Sequence, residues 1–359
     1  MFKYFSTNQF KNVIKSVHDR ANLLRIEVPT LTFLGTVKLH GTNSSVYSCL
    51  KDDSFVTQSK NNIITPKDDN NGFSAFLHKN ENQTVIKNIF NNIKQEFPQL
   101  VETKTAVLYG EWCGGNIQKV VALKDLEKMF VVFAVKLSDN EQKENVPEIW
   151  LNGEQIKKII GKPQNNIYNI YDFQTWTVDI DMRAPKNIQN KLIDITNGVE
   201  QECPVASQLG VKGLGEGVVW KCISTHPMIQ TDDLVFKVKG KEHSVTHVKT
   251  IAEVDEEKVN SINEFVSKVV TPNRLQQGLD YLKEQHLELD VRNMGVFLKW
   301  MSDDCVREEG EMMAQSGFDK KEVTPVISQA CKRWFFEKIK KEVSNIGEKS
   351  SVNKSKPSM

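Results

Sequence analysis

Seven charged side chains interrupt stretches that otherwise read as buried strands: Lys38, Lys60, Glu111, Glu216, Lys221, Lys237 and Lys239. A charge in an apolar strand is costly to bury unless it is paired or bound to a ligand, so the set points to a site. Lys237 and Lys239 are two apart and share one face of a strand, as do Lys38 and His40. Paired ammonium groups suit the oxygens of a phosphate. They would also lower the pKa of a nearby Lys38 by like-charge repulsion, which makes a lysine nucleophilic. Glu216 and Lys221 are five apart and fall on opposite faces of a regular strand, unless Gly215 or Gly217 relaxes the alternation. A lone Lys-x-x-Gly is by itself a surface lysine ahead of a turn. Here the order of its partners argues for chemistry.

The elements that must position these groups are legible. Leu31–Val37 is an apolar run that delivers Lys38 to a strand end, and Gly41 marks a turn or a close approach of backbone to ligand. Residues 44–60 read as a hairpin whose returning strand, Phe55–Lys60, carries Lys60 at its end. Thr105–Trp112 and Met129–Leu137 read as strong buried strands, separated by a glycine-containing loop, Cys113–Lys119. Val218–Ile223 and Leu234–Lys239 are further strands. Phe10–Leu24 is helix-like. A second helix, with Thr84 as its cap, carries Val85, Ile86, Ile89, Phe90 and Ile93 at helical spacing and ends before Pro98. The segment 190–210 is helical at both ends and broken near Gly198 and Pro204, whereas 168–182 shows no clear period.

After about residue 245 strand signals stop. Asp255 can cap a helix carrying Val259 and Ile262. Thr271-Pro272 starts another, Met294, Phe297, Trp300 and Met301 mark a third, and Thr324-Pro325 opens a last one. Their aromatic and methionine stripes read as core. The division expected is 1–245, a helical domain over 246–345, and a Ser-, Lys- and Asn-rich tail over 346–359.

At 359 residues, one larger and one smaller domain is the natural expectation, and a 39% apolar fraction is enough for packed cores. No run approaches membrane-spanning length, and Met1–Phe5 lacks the features of a signal peptide, so a soluble, cytoplasmic protein is expected. The net charge of +1 gives no nucleic-acid signal for the chain as a whole. Six scattered cysteines without Cys-x-x-Cys argue against a disulfide framework or structural zinc. His243 and His247 have helical metal-ligand spacing but no evident third ligand. Neither a Walker A loop nor Gly-x-Gly-x-x-Gly is present, which excludes the ordinary nucleotide-binding loops.

Five stretches resemble, in order, the covalent nucleotidyltransferase superfamily of ligases and capping enzymes. They are Lys38–Asn43; Gly110-Glu111 with Ile117–Lys119; Val132-Phe133; Glu216–Lys221; and Lys237–Lys239. Within that superfamily the chain resembles the phage-type RNA ligase 2 family, which is related to the kinetoplastid RNA-editing ligases. Lys-x-His-Gly-Thr-Asn, in place of the Lys-x-Asp-Gly of DNA ligases, is the most discriminating piece. The resemblance spans roughly residues 30–240 and includes the opening Met1-Phe2-Lys3. It implies an α+β fold, with a nucleotidyltransferase domain built on antiparallel sheets with flanking helices, followed by a small all-α domain.

The same resemblance implies roles. Lys38 attacks the α-phosphate of ATP and becomes a lysyl–AMP; the AMP passes to an RNA 5′-phosphate, and a 3′-hydroxyl then displaces it. Lys237 and Lys239 hold the α-phosphate and Lys221 assists at the phosphates. Glu111 contacts the ribose, Phe133 stacks on adenine, and His40 and Asn43 act around the transferred AMP and the RNA end. Glu216 helps hold magnesium through water, with manganese able to substitute. The expected partner is RNA with 5′-phosphate and 3′-hydroxyl ends, preferably a nicked duplex, and the expected state is a monomer, phage-encoded if it follows the phage members. Two positions depart from the pattern. Lys60 stands where relatives commonly carry Arg, which keeps the charge and loses the bidentate fork, and Ala134 stands where an acidic residue is frequent. Three rivals remain: a DNA or RNA/DNA-hybrid ligase or capping enzyme, against which the lack of a β-rich C-terminus counts; a catalytically inactive nucleic-acid-binding homologue, against which the retained charged set counts; and an interaction protein built on the helical domain.

Overall fold

The apolar run that ends at Lys38 forms strand β1 (Thr30–Lys38). Its burial alternates: Leu31, Phe33, Gly35 and Val37 are buried, while Thr32, Leu34, Thr36 and Lys38 are half-buried. In this computed structural model, which describes residues 1–5, 7–140, 148–226, 233–240 and 261–352, β1 is central in a four-stranded antiparallel sheet. Its neighbours are β9 (Thr175–Asp181) on one side and β10 (Gly217–Cys222) on the other, with β11 (Val235–Lys239) beyond β10. The buried face carries Phe33, Val218, Trp220 and Phe236 into a core shared with helix α1 (Phe10–Leu24). Helix α1 presents Phe10, Val13, Ile14, Val17 and Ala21 at helical spacing. Phe10 meets Phe236 with ring centroids 4.6 Å apart. Each such fully buried apolar side chain contributes about 1.5–3 kcal/mol.

The second sheet runs β4 (Ile63–Ile64), β3 (Val56–Ser59), β2 (Thr42–Cys49), β5 (Lys104–Cys113), β6 (Met129–Asp139) and β7 (Ile149–Trp150), and β8 (Ile167–Asn169) pairs in parallel with β6. One face buries Val46, Leu108, Val132 and Val135 under α2 (Phe73–Leu77), α3 (Asn80–Glu96) and α4 (Gly153–Ile160). The other is aromatic: Tyr47, Tyr109, Phe133 and Trp150 pack with Phe2 and Tyr4 of the N-terminal segment. The expected hairpin over 44–60 is present as β2 paired with β3.

Several boundaries differ from expectation. Helix α3 begins at Asn80, and the Thr84 hydroxyl donates within the helix to the Asn80 carbonyl at 3.0 Å, so it is no cap. Gly198 lies inside α5 (Gln189–Gln201), and the break falls at Glu202 and Cys203, ahead of α6 (Pro204–Gln208). The weakly periodic 168–182 contains β9, whose Thr175, Thr177 and Asp179 are exposed on an edge strand.

The chain divides into two compact units, Met1–His243 with Thr250–Ala252, and Ser244–Lys249 with Glu253–Met359. The described part of the second unit is helical: α7 (Ile262–Val269), α8 (Pro272–Glu284), α9 (Met294–Gln315) and α10 (Lys320–Val352). Thr271 caps α8 as expected, accepting from the Arg274 amide. Helix α10 opens before Thr324-Pro325 and enters the stretch expected as a tail. The Asp255-capped helix start, His243, His247 and residues 353–359 lie outside the described residues. Among the described residues no helix is long and apolar enough to cross a membrane, and the six cysteines form no disulfide.

Candidate active site

Antiparallel register brings the lysines together. Lys38 of β1 lies opposite Gly217 of β10, and Gly217 lies opposite Lys239 of β11. One pair further along, Thr36, Val219 and Lys237 are aligned, and then Leu34 and Lys221. Directly opposed residues share a face, so Lys38, Lys221, Lys237 and Lys239 all lie on the half-buried face of the first sheet. The shared face of Lys237 and Lys239 follows from their spacing; the alignment with Lys38 and Lys221 depends on pairing across three strands.

Glu216 is the hub of this cluster. Its side chain is 1% exposed, and its oxygens lie 2.7 Å from Lys38 Nζ, 2.8 Å from Lys239 Nζ and 3.1 Å from His40 Nδ1. Glu216 precedes β10, and Gly217 has φ +151°. A Cβ at Gly217 would stand 2.2 Å from the Val238 carbonyl oxygen. This backbone turn takes Glu216 out of the strand alternation, which resolves its apparent conflict with Lys221.

The electrostatics correct one expectation. Burial by itself depresses the Lys38 pKa, but the charges of Glu216 and Glu111 and the hydrogen bond to Glu216 outweigh it and raise the pKa above the ordinary lysine value. Burial likewise opposes ionisation of Glu216, and the charges of Lys239, Lys38 and His40 overcome it and hold the carboxyl well below its usual range. Lys38 is therefore held as an ammonium by a carboxylate 2.7 Å away, and is not activated by its neighbouring lysines.

The second sheet supplies the remaining groups. Glu111 of β5 lies opposite Asn43 of β2, and its Oε1 accepts the Gly41 amide at 3.0 Å. A Cβ at Gly41 would stand 2.3 Å from the Trp112 carbonyl oxygen, so the chain approaches β5 too closely for any other residue. Gln118 donates to the Gly41 carbonyl at 3.4 Å. Phe133 sits where the β5–β6 register shifts: Tyr109 pairs with Ala134 and Gly110 with Val132, leaving Phe133 as the extra residue of a bulge. It is half-buried between buried neighbours and packs against the aromatic face of this sheet. Lys60 is exposed, just beyond Ser59 of β3, which pairs with Ser44.

Two contacts escaped sequence reasoning. The Lys221 ammonium lies over the Trp150 ring, 5.7 Å from its centroid, and Tyr4 meets Phe133 edge-on at 5.0 Å. Trp150 lies in an edge strand, Ile149–Trp150, inside the stretch 148–151 that reads as a strand in the sequence, and Tyr4 in a segment without regular structure; neither position signals a ring contact across the chain. Among the described residues no group of three or more His, Cys, Asp or Glu side chains could hold a metal ion. Glu216, the carboxylate expected to hold a cation through water, is engaged here by Lys38, Lys239 and His40.

A profile of the RNA ligase family matches residues 31–239. No curated protein matches the chain. A comparison with solved structures matches a Naegleria gruberi RNA ligase mutant with AMP and Mn, at 16% identity and a TM-score of 0.38, covering 67% of this chain and 56% of that one. A second Naegleria gruberi RNA ligase mutant, with ATP and Mn, gives 16% identity and a TM-score of 0.39 over 67% and 57% of the two chains. The Naegleria gruberi enzyme with PPi gives 16% and 0.37 over 67% and 56%. The chain thus spans little more than half the length of these structures. The matched residues run from Leu31 of β1 to Lys239 of β11 and enclose the whole lysine–glutamate cluster, and the chain belongs to the RNA ligase family.

Proposed function

We propose that this protein is an ATP-dependent RNA ligase that joins 3′-hydroxyl and 5′-phosphate ends through a lysyl–AMP at Lys38. The observation that carries the reading is the convergence of Lys38, Lys239 and His40 on Glu216, with Lys237 and Lys221 on the same sheet face. In the first step Lys38 Nζ forms a bond to the α-phosphorus of ATP, the bond to the bridging oxygen breaks and pyrophosphate leaves. The AMP then moves to an RNA 5′-phosphate, freeing Lys38. A 3′-hydroxyl attacks the activated end, forms the phosphodiester and releases AMP. Such transfers depend on positioning and charge neutralisation, and the lysines provide both. Lys237 and Lys239 take the α-phosphate, Lys221 the remaining phosphates, Glu111 the ribose and Phe133 the adenine. His40 and Asn43 act beside the transferred AMP. Lys60 keeps one positive charge at the rim for ribose or RNA phosphate.

Lys38 must shed a proton before it attacks, and Glu216 opposes this as long as it holds the ammonium. A magnesium ion held by Glu216 through water would compete for this carboxylate and lower the proton affinity of Lys38. The natural substrate class on this reading is RNA with a nick in a duplex, gripped through 2′-hydroxyls and phosphates.

The test is self-adenylylation. Protein is incubated with α-labelled ATP and magnesium, or with manganese, the ion present with ATP in one Naegleria structure. Acid-labile label on wild type and none on K38A is the expected result. No label on wild type, with intact mass excluding protein already adenylylated, would overturn the reading in favour of an inactive nucleic-acid-binding homologue. Sealing of nicked RNA against nicked DNA and hybrid duplexes then assigns the polynucleotide.

A further inference from the structure

A continuous chain of ring contacts joins the two ends of the proposed nucleotide site. Lys221 Nζ lies 5.7 Å from the Trp150 centroid. Trp150 meets Tyr4 edge-on at 5.8 Å, and Tyr4 meets Phe133 edge-on at 5.0 Å. These separations fall within the range of attractive cation–π and edge-to-face contacts. Lys221 and Phe133 come from different sheets, β10 and β6, and the linking rings come from neither of the strands that carry them. Trp150 is on β7, and Tyr4 is on the N-terminal segment.

Trp150 is also fixed from behind. It pairs in register with Lys136 of β6, whose ammonium lies 5.5 Å from the same ring and 2.6 Å from Glu148. Tyr109 stacks on it at 5.9 Å, and Phe5 meets it edge-on at 5.3 Å. The N-terminal segment is itself anchored at both ends. The Phe2 amide donates to Gln58 Oε1, and Gln58 Nε2 donates back to the Phe2 carbonyl. Asn8 exchanges backbone hydrogen bonds with β11, accepting from the Lys237 amide at 3.0 Å and donating to the Val235 carbonyl at 3.1 Å. A ring held this firmly restricts the flexible four-carbon stem of Lys221, so that the ammonium is kept on the face that carries Lys38.

We infer that Trp150 is a positioning residue for the ligation chemistry, one that presents the Lys221 ammonium to the ATP phosphates and, through Tyr4, ties it to the Phe133 ring. This rests on the proposed function, since Lys221 and Phe133 have their roles only there. Trp150 touches no reacting atom; it acts through Lys221.

The experiment is a double-mutant cycle on self-adenylylation in the full chain, with W150L, W150F, K221A and the doubles W150L/K221A and W150F/K221A, each over a range of ATP concentrations. W150L is expected to lose about three- to tenfold in labelling efficiency, the scale of a partly exposed cation–π contact. The loss should fall on the same parameter, half-saturating ATP or limiting rate, that K221A changes. W150F, which retains an aromatic face, should lose less. In the K221A background both substitutions should have little further effect. Losses that multiply in the doubles would overturn the inference, because Trp150 would then act independently of Lys221. So would W150L that labels as wild type does. If W150L does not fold, the W150F arm of the cycle decides by the same criterion. Wild type that takes no label overturns both the proposed function and this inference, whereas labelled wild type with an additive cycle overturns the inference alone.

Discussion

At the scale of single residues, Glu216 controls the site, because one buried carboxylate faces two lysine ammonium groups and the His40 imidazole. Replacing it by Gln leaves Lys38, Lys239 and His40 facing one another without their counter-charge. E216Q should cost about 1–3 kcal/mol at pH 7, the upper values for buried pairs being reduced because Lys38 is 21% exposed. Urea unfolding of the two proteins measures it. The pH dependence has a definite sign. The folded-state pKa of Glu216 is depressed, so its contribution is present above the unfolded glutamate value near 4.3 and is lost as pH falls below it. That of Lys38 is raised, so its contribution is present below the unfolded lysine value near 10.4 and is lost as pH rises through the folded value. The wild-type advantage over E216Q should thus be flat from about pH 5 to 10 and shrink toward pH 3. The same substitution removes the group that holds Lys38 protonated. Modification of Lys38 by an amine-selective reagent, followed by peptide mass mapping, should be faster in E216Q than in wild type at pH 8. A slower rate would show that the carboxylate does not suppress the amine.

At the scale of elements, the site depends on how strands enter and register. Gly217 is the clearest case, with its positive φ and the Val238 carbonyl in the place of a side chain. G217A should destabilise by at least about 2 kcal/mol and displace Glu216 from Lys38, so that self-adenylylation fails with it. Gly198, in the interior of α5 with open space around it, is the control: G198A should stabilise by about 0.5–1 kcal/mol and leave labelling unchanged. Thermal unfolding beside the labelling assay separates the two. These two glycines also mark what was legible in the sequence. The alternation of Leu31–Val37 and the lysine spacing in Lys237–Lys239 are local, and they placed β1, β11 and the lysine faces correctly. Gly198 looked like a helix break and is not one, because packing of Leu192, Thr196 and Val199 sustains α5 through it. Glu216 seemed to face away from Lys221, because strand periodicity carries no information about a single residue of positive φ at a strand entry. The orientation of Phe133 was equally hidden. A bulge is a mismatch between two strands, and neither strand alone contains it. The raised pKa of Lys38 has the same origin, since its governing partner lies 178 residues away.

At the scale of the whole molecule, the candidate residues from Lys38 to Lys239 fall inside the unit Met1–His243, which has its own buried cores. A protein ending at residue 243 should therefore fold and label Lys38 within about threefold of the full chain. The helical unit has its own core around Phe265, Phe297, Met301 and Phe335, and a buried ion cluster beside it. Arg274 of α8, fully buried, lies 3.1 Å from Asp304 and 3.2 Å from Glu309 of α9, and donates to the Val269 carbonyl at 2.9 Å. Glu309 interrupts α9 with non-helical angles, φ −118° and ψ 17°, so the kink and the ion cluster coincide. Removing the guanidinium would take from the buried Glu309 its ion pair and leave Asp304 with Arg307, and R274A should cost about 3–5 kcal/mol. Domains with separate cores unfold as separate transitions unless their interface is large. In the full chain R274A should lower one thermal transition by many degrees and leave the other where the 1–243 protein melts. Lys38 should still take label at temperatures between the two. If both transitions fell together, or labelling were lost with the first, the helical unit would be supporting the nucleotidyl-transfer site itself.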